Sequence, residues 1–205
     1  MGQQVAEALS ALRRLGTPDE MRALARQGYT PQALPRVNTH IHLPPNFSAF
    51  ESVGQAVNLA AEQGMAALGV GNYYNYEVYG DFAERARQKG IFPLFGTEII
   101  CMDDALRDAG IKINDPGNPG KFYFCGKGIT RFDQMTPEAA RLISVIRRND
   151  STRMARMVEQ MERIFTERGL TTGIDERAVV EMIVRRHGSD RSTVYLQERH
   201  ISQAF

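Results

Sequence analysis

The sequence feature that most restricts the fold is a regular alternation of short apolar runs with helical segments between Arg36 and Gly128. Apolar, β-branched runs of strand length alternate with two stretches of helical period, each closed by a glycine, Gly64 or Gly90. The predicted order is strand (36–43), helix (52–63), strand (65–72), helix (79–89), strand (91–101) and strand (120–128). Strands that alternate with helices in this way indicate an α/β protein with a parallel sheet or barrel.

Helical sequences flank this alternating part on both sides. Before it, residues 4–27 have a helical period with a break at Gly16-Thr17-Pro18. After it, the sequence predicts a long charged helix (137–168), a second helix capped by Asp175 (175–187) and a third (191–205). We therefore predict an N-terminal helical segment (1–35), an α/β barrel portion (36–135) and a C-terminal helical insertion or arm (136–205).

Charge and length argue against several classes of protein. A net charge of +1 over 205 residues gives no indication of a polyanionic partner, so nucleic acid is not expected. No apolar stretch is long enough to span a bilayer, and residues 1–15 do not have the pattern of a signal peptide. Cys101 and Cys125 are too few for a disulfide framework. We expect a cytoplasmic protein with free thiols and no membrane contact.

Two of the four histidines lie two residues apart on the first predicted strand. Side chains at positions i and i+2 of a strand point to the same face, so His40 and His42 are expected to lie side by side. Two imidazoles on one face suit a divalent cation such as zinc, manganese or iron. The alternative is an ordinary strand whose histidines are satisfied polar residues of the core.

A carboxylate within the third predicted strand is the second indication of a metal site. Glu98 is bracketed by Phe95, Ile99 and Ile100, and an ionised carboxylate in such a run is costly unless a cation or a donor meets it. In a barrel the first and third strands are close, so Glu98 and the two histidines are expected to converge at the carboxyl ends of the strands. The alternative is that Glu98 ends its strand in water.

Five short segments follow one another in the order found in a known family. They are Asn38-Thr39-His40-Ile41-His42, Val70-Gly71-Asn72, Gly96-Thr97-Glu98, the FYFCG run at 122–126, and Glu198-Arg199-His200-Ile201-Ser202. The family has Asp-x-His-x-His, Thr-Asp-His, Gly-x-Glu, a His before a Gly, and Arg-Pro-His-Ile-Ala in this order. From about Arg36 onward the chain thus resembles the polymerase and histidinol phosphatase (PHP) superfamily, whose members are (β/α)7 barrels and metal-dependent phosphoesterases.

This resemblance implies a reduced metal site. Asn38 and Asn72 replace an acid and a histidine, and Phe122 or Tyr123 occupies the place of another histidine. The retained metal ligands are then His40, His42, Glu98 and His200. These are too few for three ions, so we expect one divalent ion at reduced stoichiometry or none. The resemblance also implies that His200 completes the metal shell or, as the catalytic acid, protonates the leaving group.

Only part of the family's barrel is visible in the sequence. We predict an α/β fold that is a partial PHP-like (β/α)7 barrel with about four parallel strands and a C-terminal helical segment. An open sheet of this kind would expose its edge strands. Three explanations remain open: the chain is a fragment, the helices after Thr136 cover the gap, or a partner or a missing C-terminal segment completes the barrel.

The loop GNYYNYEVYG (71–80), after the second strand, is the predicted binding lip. Its Asn72, Tyr73 and Tyr74 could stack on and hydrogen-bond a polar ligand, or the tyrosines could simply pack half-buried on the rim. Lys127 and Arg131 follow the fourth strand and could supply positive charge for a phosphate, or they could be solvated surface residues.

The favoured function is hydrolysis of a small phosphate ester by a PHP-like, metal-dependent phosphoesterase with a degenerate metal site. The alternative is a non-catalytic PHP-like domain that binds a polar ligand or a partner domain. A metal hydrolase of the amidohydrolase type, which also begins with His-x-His, ranks third, because its later histidines and final Asp are not found before Phe205.

Overall fold

The computed structural model describes residues 35–129 and 135–205, together with Asp19, Ala23 and Arg26. Those three residues are helical, and the rest of the helices predicted within residues 4–27, like the predicted phosphate ligand Arg131, lies outside the described part of the chain. The strands are β1 (Arg36–Ile41), β2 (Met65–Val70), β3 (Phe92–Met102) and β4 (Lys121–Lys127). The helices are α1 (Val53–Glu62), α2 (Tyr79–Gln88), α3 (Asp104–Asp108), α4 (Pro137–Glu167), α5 (Glu176–His187) and α6 (Glu198–Ala204), with a 3-10 turn at Arg191–Thr193.

The four strands form one sheet in the order β1-β2-β3-β4. β1 pairs with β2 and β2 with β3, both in parallel, as expected for strands joined by the crossover helices α1 and α2. β3 is shared along its length: Phe92 to Phe95 pair with β2, and Gly96 to Met102 pair with β4. The fold is therefore the predicted α/β class, a curled sheet that forms part of a barrel.

The prediction that β4 is also parallel is wrong, because β4 runs antiparallel to β3. The connection between the two strands explains the direction. β3 has 11 residues and spans about 36 Å. The connection between the two strands (103–120) is closed at its base, where the Asp103 N–H donates to the Gly120 carbonyl over 2.9 Å, so β4 begins beside the end of β3. The chain therefore folds back along the strand it has just left.

Helices α1 and α2 pack on one face of the sheet. Helix α1 begins where the Ser52 side chain accepts a hydrogen bond from the Gln55 N–H, as its serine N-cap predicts. The apolar residues between the helices and the sheet form the first hydrophobic cluster, which includes Leu43, Val57, Leu68, Val70, Tyr79, Phe82 and Ile91. This cluster holds the sheet in place and thereby supports the groups at the carboxyl ends of its strands.

The first two predicted C-terminal helices are present, whereas the third (191–205) is reduced to the 3-10 turn and the short helix α6. These elements have a core of their own. Helix α4 has 31 residues and begins at Thr136, whose side chain accepts from the Ala139 N–H. Helix α5 is capped by Asp175 and ends at Gly188, which has a left-handed φ of 61°. The second hydrophobic cluster comprises Met154, Val158, Val179, Ile183, Val194, Leu196 and Ile201. Among the described residues, no helix is long and apolar enough to cross a membrane.

Candidate metal centre

The two histidines of the first strand and the glutamate of the third converge on one point. Glu98 Oε2 lies 2.7 Å from His40 Nε2 and 3.2 Å from His42 Nε2. One potential ligand atom from each side chain lies within 4.8 Å of the others. The structure therefore brings together the three residues that the sequence predicted to meet.

The geometry of the sheet explains why residues of β1 and β3 reach each other across β2. Strand β2 ends at Val70, and the next residue is Gly71. A Cβ on Gly71 would lie 3.2 Å from His40 Nε2, so the glycine leaves room for the imidazole. Glu98 lies beyond the last residue of β3 that pairs with β2, and its N–H donates to the Asn72 carbonyl. The missing side chain at Gly71 thus opens the space in which the three groups meet.

Tyr73 hydrogen-bonds to the carboxylate oxygen of Glu98 that the histidines do not contact. Its hydroxyl donates to Glu98 Oε1 over 2.5 Å, while the two imidazoles face Oε2. The Tyr73 ring is also stacked on His42, with centroids 5.0 Å apart and 8° between the planes. Tyr73 was predicted to bind substrate, but here its hydroxyl and its ring are both engaged with the predicted metal ligands.

The environment sets the protonation states that a metal site requires. Burial, reinforced by Lys127, lowers the pKa of His40 below its ordinary value of 6.5, so the imidazole is neutral at neutral pH. Burial acts to raise the pKa of Glu98, but hydrogen bonds from His42 and Tyr73 outweigh it, and the pKa lies below the usual range. Burial and the Glu98 contact raise the pKa of Tyr73 far above 10, so its hydroxyl keeps its proton.

This donor set fits a divalent cation. Neutral imidazole nitrogens with one carboxylate oxygen are ligands that zinc, manganese and iron all accept. In the metal-free state, Nε2–H groups can donate to Glu98 Oε2, and a cation would take the place of those protons. The His40 Nδ1 lies 3.8 Å from the Cys125 thiol, and the His42 Nδ1 is buried with no hydrogen-bond partner among the described residues. Both cysteines are free thiols, as predicted.

Asn72, predicted as a ligand-binding residue, is fully committed to a structural role. Its side chain is completely buried, its Oδ1 accepts from the Leu43 N–H and its Nδ2 donates to the Leu43 carbonyl. Its own N–H donates to the Tyr79 hydroxyl. The amide thereby fastens the chain after β1 to the end of β2.

His200 lies apart from the three converging side chains. It is 2% exposed, and its Nδ1 accepts a hydrogen bond from the Gln197 N–H at the start of α6. Its ring packs edge-on against Phe47, with centroids 5.5 Å apart, and its Nε2 has no hydrogen-bond partner among the described residues. Burial, with His187 and Arg186 nearby, lowers the pKa of His200 to about 4. His200 is therefore a neutral capping residue in this structure.

The remaining predicted binding residues differ in accessibility. Tyr74 is 2% exposed, so it lies in the core and not on the surface of a binding lip. Lys127 is exposed, and its ammonium group donates to the Thr39 carbonyl over 2.9 Å. Through its charge it acts on His40, as the lowered pKa of that histidine shows.

A cavity of about 470 Å³ opens over the three side chains. Tyr73, Tyr123 and Ile100 line the sheet side, and residues of the C-terminal helices close the other side. The charged residues of its wall, none of them predicted from the sequence, are Asp115, Asp150, Arg153, Glu198 and Arg199. No local pattern could have identified them, because they come from three elements that are distant in sequence from His40.

Most of these charges are already paired. Lys121 lies 3.1 Å from Asp115 and 3.4 Å from Glu198. Arg153 lies 2.7 Å from both Glu198 and Asp150. Arg199 differs, because its guanidinium lies over the Phe47 ring, 5.6 Å from the centroid, and it has no ion pair within the described part of the chain. It is a cation of the cavity wall that is available to an anion.

Comparison with known proteins shows the fold of the chain. No family model matches the sequence, and no curated protein matches it significantly. A structure from Bifidobacterium adolescentis, provisionally described as a metal-dependent phosphoesterase, matches with a TM-score of 0.59 and 17% identity, over 85% of this chain and 50% of that chain. An amidohydrolase from Chromobacterium violaceum, solved with sulfate and no metal, matches with a TM-score of 0.54 and 18% identity, over 82% and 49%.

The chain thus spans about half the length of the structures it matches. At such low identity the likeness concerns the fold alone. The class that fold and site define is a protein with a fold like that of metal-dependent hydrolases and a His-His-Glu group able to hold a metal ion.

Proposed function

We propose that this protein is a PHP-like phosphoesterase that uses a single divalent ion to hydrolyse a small phosphate ester. The observation that carries the proposal is the convergence of His40, His42 and Glu98 at the carboxyl ends of parallel strands, beneath an open cavity. The likeness to a metal-dependent phosphoesterase from Bifidobacterium adolescentis supports the reaction class.

The three converging side chains would hold the ion, with manganese, zinc or iron as candidates. A bound divalent ion supplies a lowered pKa for its water and polarisation of a phosphoryl oxygen. Tyr73 fixes the carboxylate so that Oε2 faces the two imidazoles. Arg199 supplies a cation for the substrate phosphate from the opposite wall of the cavity.

The other roles predicted for single residues of the described part of the chain remain proposals, because in the structure those residues already have other contacts. A catalytic or ligand role for His200 would require its capped ring to leave the contact with Phe47. Phosphate binding by Lys127 would compete with its bond to the Thr39 carbonyl. Four further points stay predictions. They are phosphate binding by Arg131, membership of the PHP superfamily, a cytoplasmic location, and completion of the barrel by a partner or a further segment.

A second candidate function is that of a non-catalytic domain that binds a polar ligand or a partner domain. The commitment of Asn72 to the Leu43 backbone favours it, because the place of a family ligand is then filled by a structural residue. In this reading the cavity and its Arg199 bind an anionic ligand without hydrolysis.

The decisive experiment measures metal and turnover together. The full chain is purified without chelators, its metal content is measured by mass spectrometry, and hydrolysis of p-nitrophenyl phosphate is assayed with added Mn²⁺. We expect about one ion per chain, and in His42→Ala a loss of metal and at least about a 100-fold loss of turnover. His187→Ala, which changes a histidine of α5, is the matched control and should keep both.

Two outcomes would overturn the enzymatic proposal. Unchanged turnover in His42→Ala would show that the hydrolysis does not depend on this group. The lack of both metal and turnover in the unmodified protein, with a folded state seen by circular dichroism, would favour the non-catalytic domain.

A further inference from the structure

The backbone next to Tyr73 has an unusual conformation. Tyr74 has a φ of 54°, in the left-handed region, and it is the only residue other than glycine with a positive φ in the described part of the chain. A bulky side chain is unfavourable in this region and persists there only where the surrounding contacts enforce it. The contacts that hold Tyr74 therefore also decide where the preceding residue, Tyr73, is directed.

An arginine of the C-terminal helical segment supplies one of those contacts. Arg147 of α4 donates to the Tyr74 carbonyl from its Nε over 2.8 Å and also from its Nη2. The guanidinium itself is fixed, since it lies 4.8 Å from the centroid of the Tyr195 ring. One planar group thus connects α4, the turn before α6 and the loop after β2.

The other side of Tyr73 is held from the turn after β1. Its N–H donates to Asn46 Oδ1 over 2.6 Å, and its carbonyl accepts from Asn46 Nδ2. Asn46 fixes the backbone of Tyr73, whereas Arg147 fixes that of Tyr74. Between these two anchors the Tyr73 hydroxyl donates to Glu98 Oε1, and the ring lies flat on His42.

We propose that Arg147 is a positioning residue of the metal centre. By holding the Tyr74 carbonyl it keeps the Tyr73 hydroxyl on Glu98 and the Tyr73 ring on His42, although it contacts no predicted ligand itself. The orientation of two metal-site side chains then depends on the C-terminal helical segment. This inference rests on the proposed metal function, but its structural part can be tested in metal-free protein.

The first test uses NMR of the metal-free protein. A stacked Tyr73 ring shifts the imidazole C–H signals of His42, and Tyr73→Leu shows the signals without that ring. We expect Arg147→Met to move the His42 signals toward those of Tyr73→Leu, and Arg147→Lys, which keeps one donor, to restore part of the shift. Arg148→Met, which changes the neighbouring exposed arginine, is the matched control and should leave them unchanged.

The second test is a double-mutant cycle on Mn²⁺ affinity. Arg147→Met and Tyr73→Leu are each expected to weaken Mn²⁺ binding about tenfold, the usual effect of losing a group that orients a ligand. The double variant should bind no more weakly than Tyr73→Leu alone, because Arg147 acts through the Tyr73 side chain, which is already lost in that variant. Melting temperatures verify that every variant is folded.

The outcomes separate this inference from the proposed function. Unchanged His42 signals in folded Arg147→Met would overturn the positioning role, as would a double variant weakened about 100-fold. If the unmodified protein binds no Mn²⁺, the proposed function fails, whereas the NMR comparison still decides whether Arg147 positions Tyr73.

Discussion

The sheet region (35–129) and the C-terminal helical segment (136–205) are stabilised in different ways. Each has its own hydrophobic cluster, and the two clusters share no residue. The sheet region buries apolar side chains beneath the strands and carries the polar group of His40, His42 and Glu98 at their carboxyl ends. The helical segment buries its apolar residues among its own helices.

Directional polar contacts connect the two regions. The Phe47 N–H donates to Gln197, Asn75 donates to the Thr193 carbonyl, Arg147 donates to the Tyr74 carbonyl, and ion pairs join Lys121 to Glu198 and Glu51 to Arg186. Hydrogen bonds and ion pairs specify geometry more strictly than apolar contacts do. The difference indicates that the clusters provide stability, whereas the polar contacts set the relative placement of the groups around the cavity.

The largest expected effects come from truncating the centre of each cluster. Phe82, fully buried in the sheet region, packs edge-on against Phe95. Phe82→Ala should reduce the free energy of unfolding by about 3–5 kcal/mol, and Met154→Ala, at the centre of the helical cluster, by about 2–5 kcal/mol. Denaturant unfolding of both single variants and the double variant measures these losses.

Because the clusters share no residue, the two losses should add to within about 0.5 kcal/mol. A clear departure from additivity would show that the two regions share packing, and the two hydrophobic clusters would then not be separate cores. An exposed change in the helical segment, Arg148→Ala, serves as the control and should have little effect.

The next effect concerns the buried histidine of the helical segment. The pKa of His200 is about 4 in the folded protein and about 6.5 when unfolded. The unfolded chain therefore binds the proton first, so stability is complete above pH 6.5 and is lost as the pH falls toward 4. The total loss of stability is about 3 kcal/mol. Most of it occurs between pH 7 and pH 4.5, so urea unfolding at these two pH values measures it.

His200→Asn keeps an acceptor for the Gln197 N–H and has no titrating group, so its stability should change less over the same pH range. His187→Asn removes a smaller cause of the lowered pKa of His200 and leaves its burial intact, so this variant should retain most of the pH dependence. An equally steep pH dependence in His200→Asn would assign the acid sensitivity to other groups, such as the ion pairs between the regions.

The smallest expected effect concerns the start of the long helix. Thr136 accepts the Ala139 N–H, and Thr136→Ala should lower stability by about 1 kcal/mol. The same substitution at Thr152, inside the helix, should be neutral or slightly stabilising because alanine favours helix. Equal effects at both positions in thermal unfolding would show that the cap does not contribute to the helical segment.

Local patterns were sufficient to predict most of the elements. The α1 and α5 boundaries followed from a serine cap, an aspartate cap and closing glycines, which act over a few residues. The direction of β4 was mispredicted because it depends on how the connection after β3 closes, between Asp103 and Gly120, and an apolar run has no direction.

Part of the site could also be predicted, because it depends on residue spacing within single strands. The spacing of His40 and His42 fixes a common face, and a parallel arrangement brings Glu98 to the same edge of the sheet. Asn72 and Tyr73 were singled out as ligand-binding residues, but the hydrogen-bond partners that the structure gives them were not foreseeable. Those partners, Leu43 and Glu98, lie more than two dozen residues away in the chain.

The sequence by itself determined the α/β class and the three groups that meet beneath the cavity. The reason is that periodicity and residue spacing act within one element and do not depend on how the elements pack. Only the tertiary structure decided that His200 is a buried cap, that Tyr73 restrains Glu98, and that Arg147 fixes the backbone beside it. Such roles arise from contacts between distant segments, whose geometry exists only once the chain has folded.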